Sequence, residues 1–310
     1  MRDDDKPSSA PPRPARHRAA RAAAVLAAAC LTAAGCGGDG GPGQARPHPG
    51  GAASASSSRP ASPGPSAKPS AGGPSPAPTS GGPLPRGPLT GTTVVIDPGH
   101  NTRNREHTRE ISGQVDIGTG RKECDTTGTA TESGYAEAEF TLDVARRLRT
   151  LLEGRGAKVV LTQDGDRPFG PCVDERARIG NEARADAVVS VHADGAAAGD
   201  RGFHVILPAA VRAGGADTAR IVAPSRDLGE RIAGHFVRAT GSSPSNYVGG
   251  RTGLDTREDL GGLNLSTVPK VFVECGNMRD PKDAALLMSA DWRQRAALGI
   301  AEGVGSYLKR

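Results

Sequence analysis

Large apolar side chains divide the 310-residue chain into two parts. Between residues 37 and 88, Gly, Pro, Ser and Ala dominate, and large apolar residues are scarce. Such a segment cannot bury enough apolar surface to offset the entropy of ordering it, so we predict a disordered linker over residues 37–88. From residue 89 onward, short runs of Val, Ile and Leu recur, which predicts a single domain over residues 89–310.

Within this domain, two kinds of apolar spacing alternate. Phe140, Val144 and Leu148 fall on one face of a helix, which glycines end after residue 153. The two kinds of spacing predict helices at 136–152, 174–185, 225–240 and 291–308, and strands at 93–96, 158–162, 187–191, 203–207 and 268–273. Strands that alternate with helices are typical of βαβ units. We therefore predict an α/β fold with a mostly parallel, twisted sheet and helices on both faces.

The start of the chain is typical of an export signal. Basic residues from Arg13 to Arg21 precede an apolar run at 22–34, which is too short and too rich in Ala to span a membrane convincingly. Small residues before Cys36 resemble a lipoprotein cleavage site, although Ala33 stands where a larger aliphatic residue is usual. We predict an exported protein with a leader over residues 1–36. Either Cys36 is lipidated and anchors the protein to a membrane, or the leader is simply removed.

Composition narrows the choice of partners only slightly. The formal net charge is +5, but the chain has only three Tyr and one Trp. No aromatic platform for stacking bases is visible, so we predict no nucleic-acid partner. A mild positive charge suits an anionic cell wall, and a solvated surface explains it equally well.

Two cysteines of the domain are candidates for a disulfide. Cys124 and Cys172 flank polar segments, and an oxidising destination outside the cell would let them pair. A zinc–thiolate site is the alternative, but the cysteines lack the CxxC spacing of such sites. Cys275 lies inside an apolar strand run, where a buried free thiol behaves as a small hydrophobe.

Three chemically useful side chains come at or just past the end of a predicted strand: His100, His192 and Glu274. Functional groups of open α/β sheets gather beyond the carboxyl ends of the strands, so we expect these three to meet. A hydrolytic zinc site needs three protein ligands and an open fourth position, and two His with one Glu is a known set. The residue types therefore favour a hydrolase with one zinc ion, for which Glu132, Glu137 and Glu139 compete as the third ligand.

Four segments resemble the zinc-dependent N-acetylmuramoyl-L-alanine amidases of the family called Amidase_3. They are VVIDPGH at 94–100, GYAEAEFTL at 134–142, VSVHAD at 189–194 and PKVFVECGN at 269–277. Their order and approximate separations also agree with the family, and the resemblance covers residues 93–308. One such motif alone would be only suggestive.

This resemblance implies a role for each candidate residue. His100, Glu137 and His192 would hold one zinc ion, and the motif selects Glu137 over Glu132 and Glu139. Glu274 would take a proton from the attacking water and pass it to the departing amine. We also expect Asp97, three residues before His100, to accept the other ring proton of that ligand.

The function implied by the resemblance is hydrolysis of the amide between N-acetylmuramic acid and L-alanine in peptidoglycan. Another zinc hydrolase of the cell wall and a non-catalytic wall-binding protein are the alternatives. The presence of Glu274 favours catalysis. We expect a monomer whose partner is peptidoglycan. Its only expected membrane contact is a lipid anchor at Cys36, in the case that this residue is lipidated.

Several further features accompany the motifs. We expect residues 101–133 to form a hairpin or flap, tied by Cys124 to Cys172, that shapes or partly covers the cleft. Contacts with substrate or with the fold are open alternatives for Arg176, Asn181, Arg257 and Asn264. Three other histidines are expected in a strand near the site, in a loop and on a helix surface: His204, His107 and His235, respectively.

Overall fold

The computed structural model describes residues 86–309. The strands of these residues are β1 (Thr93–Pro98), β2 (Gln114–Asp116), β3 (Arg121–Glu123), β4 (Lys158–Leu161), β5 (Ala187–Asp194), β6 (His204–Pro208), β7 (Arg212–Ala213), β8 (Ala216–Asp217), β9 (Leu254–Arg257) and β10 (Lys270–Asn277). Their α-helices are α1 (Thr108–Ile111), α2 (Glu137–Glu153), α3 (Val173–Glu182), α4 (Val222–Thr240), α5 (Gly261–Asn264), α6 (Pro281–Met288) and α7 (Ala290–Leu308).

Six strands form one sheet in the order β4-β1-β5-β10-β6-β9. The first four are parallel to one another, β6 is antiparallel to β10, and β9 is parallel to β6. The other strands form two small antiparallel hairpins, β2-β3 and β7-β8. The predicted α/β fold with a mostly parallel sheet is therefore confirmed.

One face of this sheet carries the main hydrophobic core. Ile96, Val189 and Val271 point into a cluster that includes Phe140 of α2 and Trp292 of α7. Helix α4 packs against α7 and against β6, so three long helices cover this face. Because side chains alternate along a strand, the residues between these apolar positions point to the opposite face.

The opposite face divides into an apolar part and a polar part. Val95 and Val188 belong to a smaller cluster with Ile179 of α3, so helices lie on both faces of the sheet, as predicted. Further along the same strands, this face becomes polar. In the strand register, Glu274 lies beside His192 on one side and beside His204 on the other. Three histidine and glutamate side chains thus share one row on the face that the main core does not use.

Every predicted helix and strand is present, with ends shifted by a few residues. Among the elements that the sequence pattern did not predict are β9 and α6. Strand β9 has the sequence LDTR, with a single large apolar residue, Leu254. A strand with so little apolar alternation has no period that could be recognised in the sequence.

Leu89, at the predicted start of the domain, is fully buried, and its N–H donates to the Arg155 carbonyl at 2.9 Å. Residues 1–85, which include the predicted leader with Cys36 and most of the predicted linker, lie outside the described residues, and those assignments stay predictions. Within residues 86–309, no helix combines the length and apolar character needed to cross a bilayer.

The segment at 101–133 contains the β2-β3 hairpin, as predicted. The predicted disulfide between Cys124, just after β3, and Cys172, just before α3, is present. Cys275 is a buried free thiol, which also agrees with the sequence analysis. The disulfide therefore ties the hairpin segment to the helix that covers the polar face of the sheet.

Replacing both Cys124 and Cys172 by Ser should lower the free energy of unfolding by about 2–4 kcal/mol, because the disulfide closes a loop between residues 48 positions apart. Denaturant unfolding under non-reducing conditions measures the difference. Addition of a reductant should bring the wild-type chain to the stability of the double variant and leave the variant unchanged. Equal stability of the two oxidised proteins would contradict the prediction.

Candidate functional site

Three side chains from separate elements meet at the polar face of the sheet. His100 follows β1, Glu137 is the first residue of α2, and His192 lies in β5. One ligand atom from each lies within 4.8 Å of the other two. Glu137 Oε1 is 3.2 Å from His100 Nε2 and 3.0 Å from His192 Nδ1. The structure thus brings together the three predicted ligands and leaves Glu132 and Glu139 exposed outside the cluster.

This arrangement fits a zinc ion in both spacing and chemistry. Two atoms that each lie about 2.1 Å from one tetrahedral zinc ion are about 3.4 Å apart. The two distances from Glu137 Oε1, 3.2 Å and 3.0 Å, are close to that value. Two imidazole nitrogens and one carboxylate oxygen also form a donor set that leaves a fourth position open.

Backbone groups hold the Glu137 carboxylate in place. Its Oε2 accepts a hydrogen bond from the Thr129 N–H at 2.9 Å, and its Oε1 accepts one from the Ala193 N–H at 3.2 Å. Burial alone would raise the pKa of Glu137, but the adjacent His100 and His192 hold it well below its ordinary value. The carboxylate is therefore charged and oriented at neutral pH, as a metal ligand must be.

His100 adopts a backbone conformation that few non-glycine residues use, with φ at 61°. Its carbonyl accepts hydrogen bonds from Gln163 and Arg176, both at 3.1 Å. Its ring Nδ1 lies 3.1 Å from the carbonyl oxygen of Thr126 and 3.4 Å from Asp125 Oδ1. A proton on Nδ1, donated to that carbonyl, leaves the Nε2 lone pair facing Glu137.

Asp97 is not the partner of the His100 ring, so that prediction was wrong. The two carboxylate oxygens of Asp97 accept hydrogen bonds from four side chains: Thr162 (2.7 Å), Arg176 (2.8 Å), Ser190 (2.8 Å) and Lys270 (3.3 Å). Burial alone would raise the pKa of Asp97, but the charges of Lys270 and Arg176 hold it well below its ordinary value. Asp97 still belongs to β1 and lies on the sheet, whereas His100 lies beyond the turn that follows.

Asp125 and Thr126 take the place that we had given to Asp97. They follow Cys124, so the disulfide to Cys172 anchors the segment that contacts the His100 ring. Burial alone would raise the pKa of Asp125, but Arg176 and His100 lower it to about 2. The only signal in the sequence was the position of this acid next to a cysteine predicted to pair.

His192 is fixed by two close neighbours. Its ring stacks on Phe272 of β10, with centroids 5.1 Å apart and an interplanar angle of 18°. The second neighbour is Gly99. A Cβ added to this glycine would lie 2.3 Å from His192 Cε1. The chain therefore passes the imidazole at a distance that only Gly permits.

Glu274, the predicted proton carrier, lies next to His192 in the strand register. Its Oε2 is buried and has no hydrogen-bond partner among residues 86–309. Burial, followed by the negative charges of Glu137 and Asp194, raises its pKa well above the ordinary value of a carboxyl group. A partly buried carboxyl with a raised pKa can both accept and donate a proton near neutral pH.

A cavity of about 450 Å³ adjoins the cluster. His100 and His192 line it, and Val173, Leu260 and Phe272 give it apolar lining. Further lining comes from the β2-β3 hairpin through Gln114, Lys122 and Glu123. The predicted role of the 101–133 segment in shaping the cleft is therefore visible.

The hairpin is held at its tip as well as at its disulfide. Ile117 is buried against Gly261, where an added Cβ would lie 2.5 Å from Ile117 Cγ2. Asn264, for which contacts with substrate or with the fold were open, donates to Thr119 Oγ1 at 3.2 Å and to the Glu258 carbonyl at 2.8 Å. Its side-chain amide thus stabilises the fold around the hairpin tip.

Most of the other candidates also make contacts within the protein. The Asn181 side chain donates to the Leu265 carbonyl at 2.9 Å, and Arg257 forms a bidentate pair with Asp259. The three other histidines of residues 86–309 lie in a strand, before a short helix and on a helix: His204 in β6, His107 before α1 and His235 in α4. Each lies in the kind of element that the sequence analysis expected, and none belongs to the metal-ligand cluster of the described residues.

Comparisons with known proteins agree with this geometry. The sequence model of N-acetylmuramoyl-L-alanine amidases matches residues 94–306, which contain all four motifs. The chain belongs to this amidase family. The resemblance inferred from the motifs is therefore confirmed.

Several amidases of known sequence or structure are similar to the chain. The N-acetylmuramoyl-L-alanine amidase Rv3717 of Mycobacterium tuberculosis is 42% identical over 225 residues, which cover 71% of this chain and 88% of that protein. The crystal structure of the amidase Ami1 from Mycobacterium smegmatis has a TM-score of 0.66 at 38% identity, covering 71% of this chain and 98% of that one. Ami1 from Mycobacterium abscessus gives a TM-score of 0.64 at 39% identity, covering 71% and 100%.

Replacing Gly99 by Ala should weaken zinc binding to this amidase at least about tenfold, because the new methyl group displaces the His192 ring. Competition with a chromophoric chelator measures the affinity. Gly120→Ala is the matched control, since a Cβ there meets nothing within 4 Å, and it should bind zinc like the wild type. Equal affinities for the two variants would show that the close approach at Gly99 does not constrain the site.

Proposed function

We propose that this chain is an exported, zinc-dependent amidase that hydrolyses the bond between N-acetylmuramic acid and L-alanine in peptidoglycan. Membership of the amidase family supports the bond and the substrate class. The convergence of His100, Glu137 and His192 within 4.8 Å supports the use of one zinc ion, and it is the observation that carries the proposal. The predicted leader, the lipid anchor at Cys36 and the monomeric state are parts of the same proposal.

In the proposed reaction, zinc supplies Lewis acidity, which makes water nucleophilic at neutral pH and polarises an amide carbonyl. Glu274 accepts one proton from the attacking water on a carboxylate oxygen. It then donates that proton to the nitrogen of L-alanine as the carbon–nitrogen bond breaks. The free Oε2 and the raised pKa of Glu274 suit both the acceptance and the donation of this proton.

The cavity beside the cluster suits the two units that flank the scissile amide. The lactyl group of N-acetylmuramic acid and the L-alanine residue each carry a methyl group. The apolar lining of Val173, Leu260 and Phe272 offers these methyl groups a surface away from water. We place the scissile carbonyl towards His100 and His192, which also line the cavity.

Purified peptidoglycan digested by the chain should gain new L-alanine amino termini, which mass spectrometry of the products detects. Dialysis against a strong chelator should abolish the digestion, and one equivalent of zinc should restore it. Release of acetate or of D-alanine termini would instead identify another zinc hydrolase of the wall. Binding to peptidoglycan without any cleavage would identify a non-catalytic wall protein.

Replacing Glu274 by Gln should lower turnover by about 10²–10⁴-fold, because Gln cannot carry the proton. Zinc content, measured by metal analysis, should stay at the wild-type value because Glu274 is not among the clustered ligands. Glu139→Gln is the control, as Glu139 is an exposed carboxylate outside the cluster, and its turnover should be unchanged. Wild-type turnover of the Glu274 variant would remove this residue from the mechanism.

A further inference from the structure

A single buried guanidinium lies behind the metal-ligand cluster. Arg176, in the first turn of α3, is 4% exposed. It donates five hydrogen bonds, to Asp97 Oδ1 (2.8 Å), Pro98 O (2.6 Å), His100 O (3.1 Å), Asp125 Oδ2 (2.9 Å) and Pro171 O (2.8 Å). A guanidinium has five N–H donors in one rigid plane, and the number of bonds matches this number.

These bonds reach His100 from two directions. On the backbone side, Arg176 contacts the carbonyls of Pro98 and His100, which bracket the turn where φ of His100 is 61°. On the side-chain side, Arg176 contacts Asp125 Oδ2, while Asp125 Oδ1 lies 3.4 Å from the His100 ring. One planar group thus positions both the main chain of His100 and the acid behind its imidazole.

Arg176 is one of two cations that pair with Asp97, whereas it is the only Arg or Lys that pairs with Asp125 among residues 86–309. Asp97 keeps three other side-chain donors, Thr162, Ser190 and Lys270. Asp125 has no ion pair with another Arg or Lys among residues 86–309. Shortening Arg176 therefore leaves Asp97 with the charge of Lys270. Asp125 and the His100 carbonyl, in contrast, keep the neutral side-chain amides of Asn104 and Gln163, so the environment of His100 loses its one cationic contact within the described residues.

From this geometry we propose that Arg176 is a positioning residue that sets the metal affinity of the site through Asp125 and the His100 backbone. The inference rests on the proposed zinc site and adds one residue that does not touch the ion. Partners that orient a ligating imidazole contribute about 10–100-fold to metal affinity. An unfavourable backbone conformation, such as that of His100, also persists only where several contacts from the surrounding structure hold it.

The test compares zinc affinity with fold stability in Arg176→Lys. Lysine keeps the charge, but its point-like ammonium cannot bridge Asp97, Asp125 and two carbonyls at once. Chelator competition on the purified full chain should show zinc binding that is weaker by about 10–100-fold. Thermal unfolding of the zinc-free protein gives the stability independently of the metal.

Arg293→Lys is the matched control. Arg293 is another poorly exposed arginine, which joins α7 to Asp143 of α2 and to the carbonyls of Leu287 and Met288. Its replacement should lower the stability of the zinc-free protein without changing the zinc affinity. Arg176→Lys with wild-type zinc affinity would reduce Arg176 to a purely structural residue and overturn the proposal.

Asp125→Asn provides a second, independent variant. It keeps the size of the side chain but breaks the charged link from Arg176 to the His100 ring, so its zinc affinity should also fall. The double variant should bind zinc more tightly than the product of the two single losses predicts, because both act on one ligand. Should Arg176→Lys fail to fold, wild-type zinc affinity in Asp125→Asn overturns the proposal. A wild-type chain that binds no zinc would instead refute the zinc site itself.

Discussion

The carboxylate of Glu137 is buried between two imidazoles, and the organisation of the site follows from that constraint. A buried charge is tolerated only where hydrogen bonds and opposite charges replace the water that it has lost. Two backbone N–H groups, from the segment before α2 and from the end of β5, supply the hydrogen bonds, and His100 and His192 face the same oxygen. A cation at this point would complete the compensation, so the geometry and the donor chemistry both fit a metal ion.

The alternation of side chains along the strands places the residues of the main core on one face of the sheet and the candidate site residues on the other. Residues such as Val191 and Val273 pack into the core under α2, α4 and α7. Their neighbours His192 and Glu274 point to the other face, where α3 and the β2-β3 hairpin leave a cavity. Because the core and the site share the same strands, the main core fixes the spacing between candidate ligand and proton carrier.

Much of this arrangement could be predicted from the sequence, since its signals are local. The apolar runs marked the strands, and His100, His192 and Glu274 stood at or near their ends. Glu137 required the family motif, because three glutamates lay close together near the start of one helix. The partner of the His100 ring could not be predicted, since Asp125 reaches it through a 24-residue excursion whose path depends on a disulfide and on Arg176. Asp97 was predicted as this partner because it is close to His100 in the sequence. In the folded chain its carboxylate instead accepts hydrogen bonds from side chains around the sheet.

The position of Cys275 has a consequence for life in an oxidising cell wall. It directly follows Glu274 in β10, so the pleat that turns the carboxyl to the same face of the sheet as His192 turns the sulfur into the core, where the residue is 1% exposed. Oxidants and thiol reagents in the surroundings reach such a sulfhydryl only when the core opens. The free thiol next to the proposed proton carrier is thereby protected from oxidation. The rate at which a thiol reagent labels it reports how often the core opens.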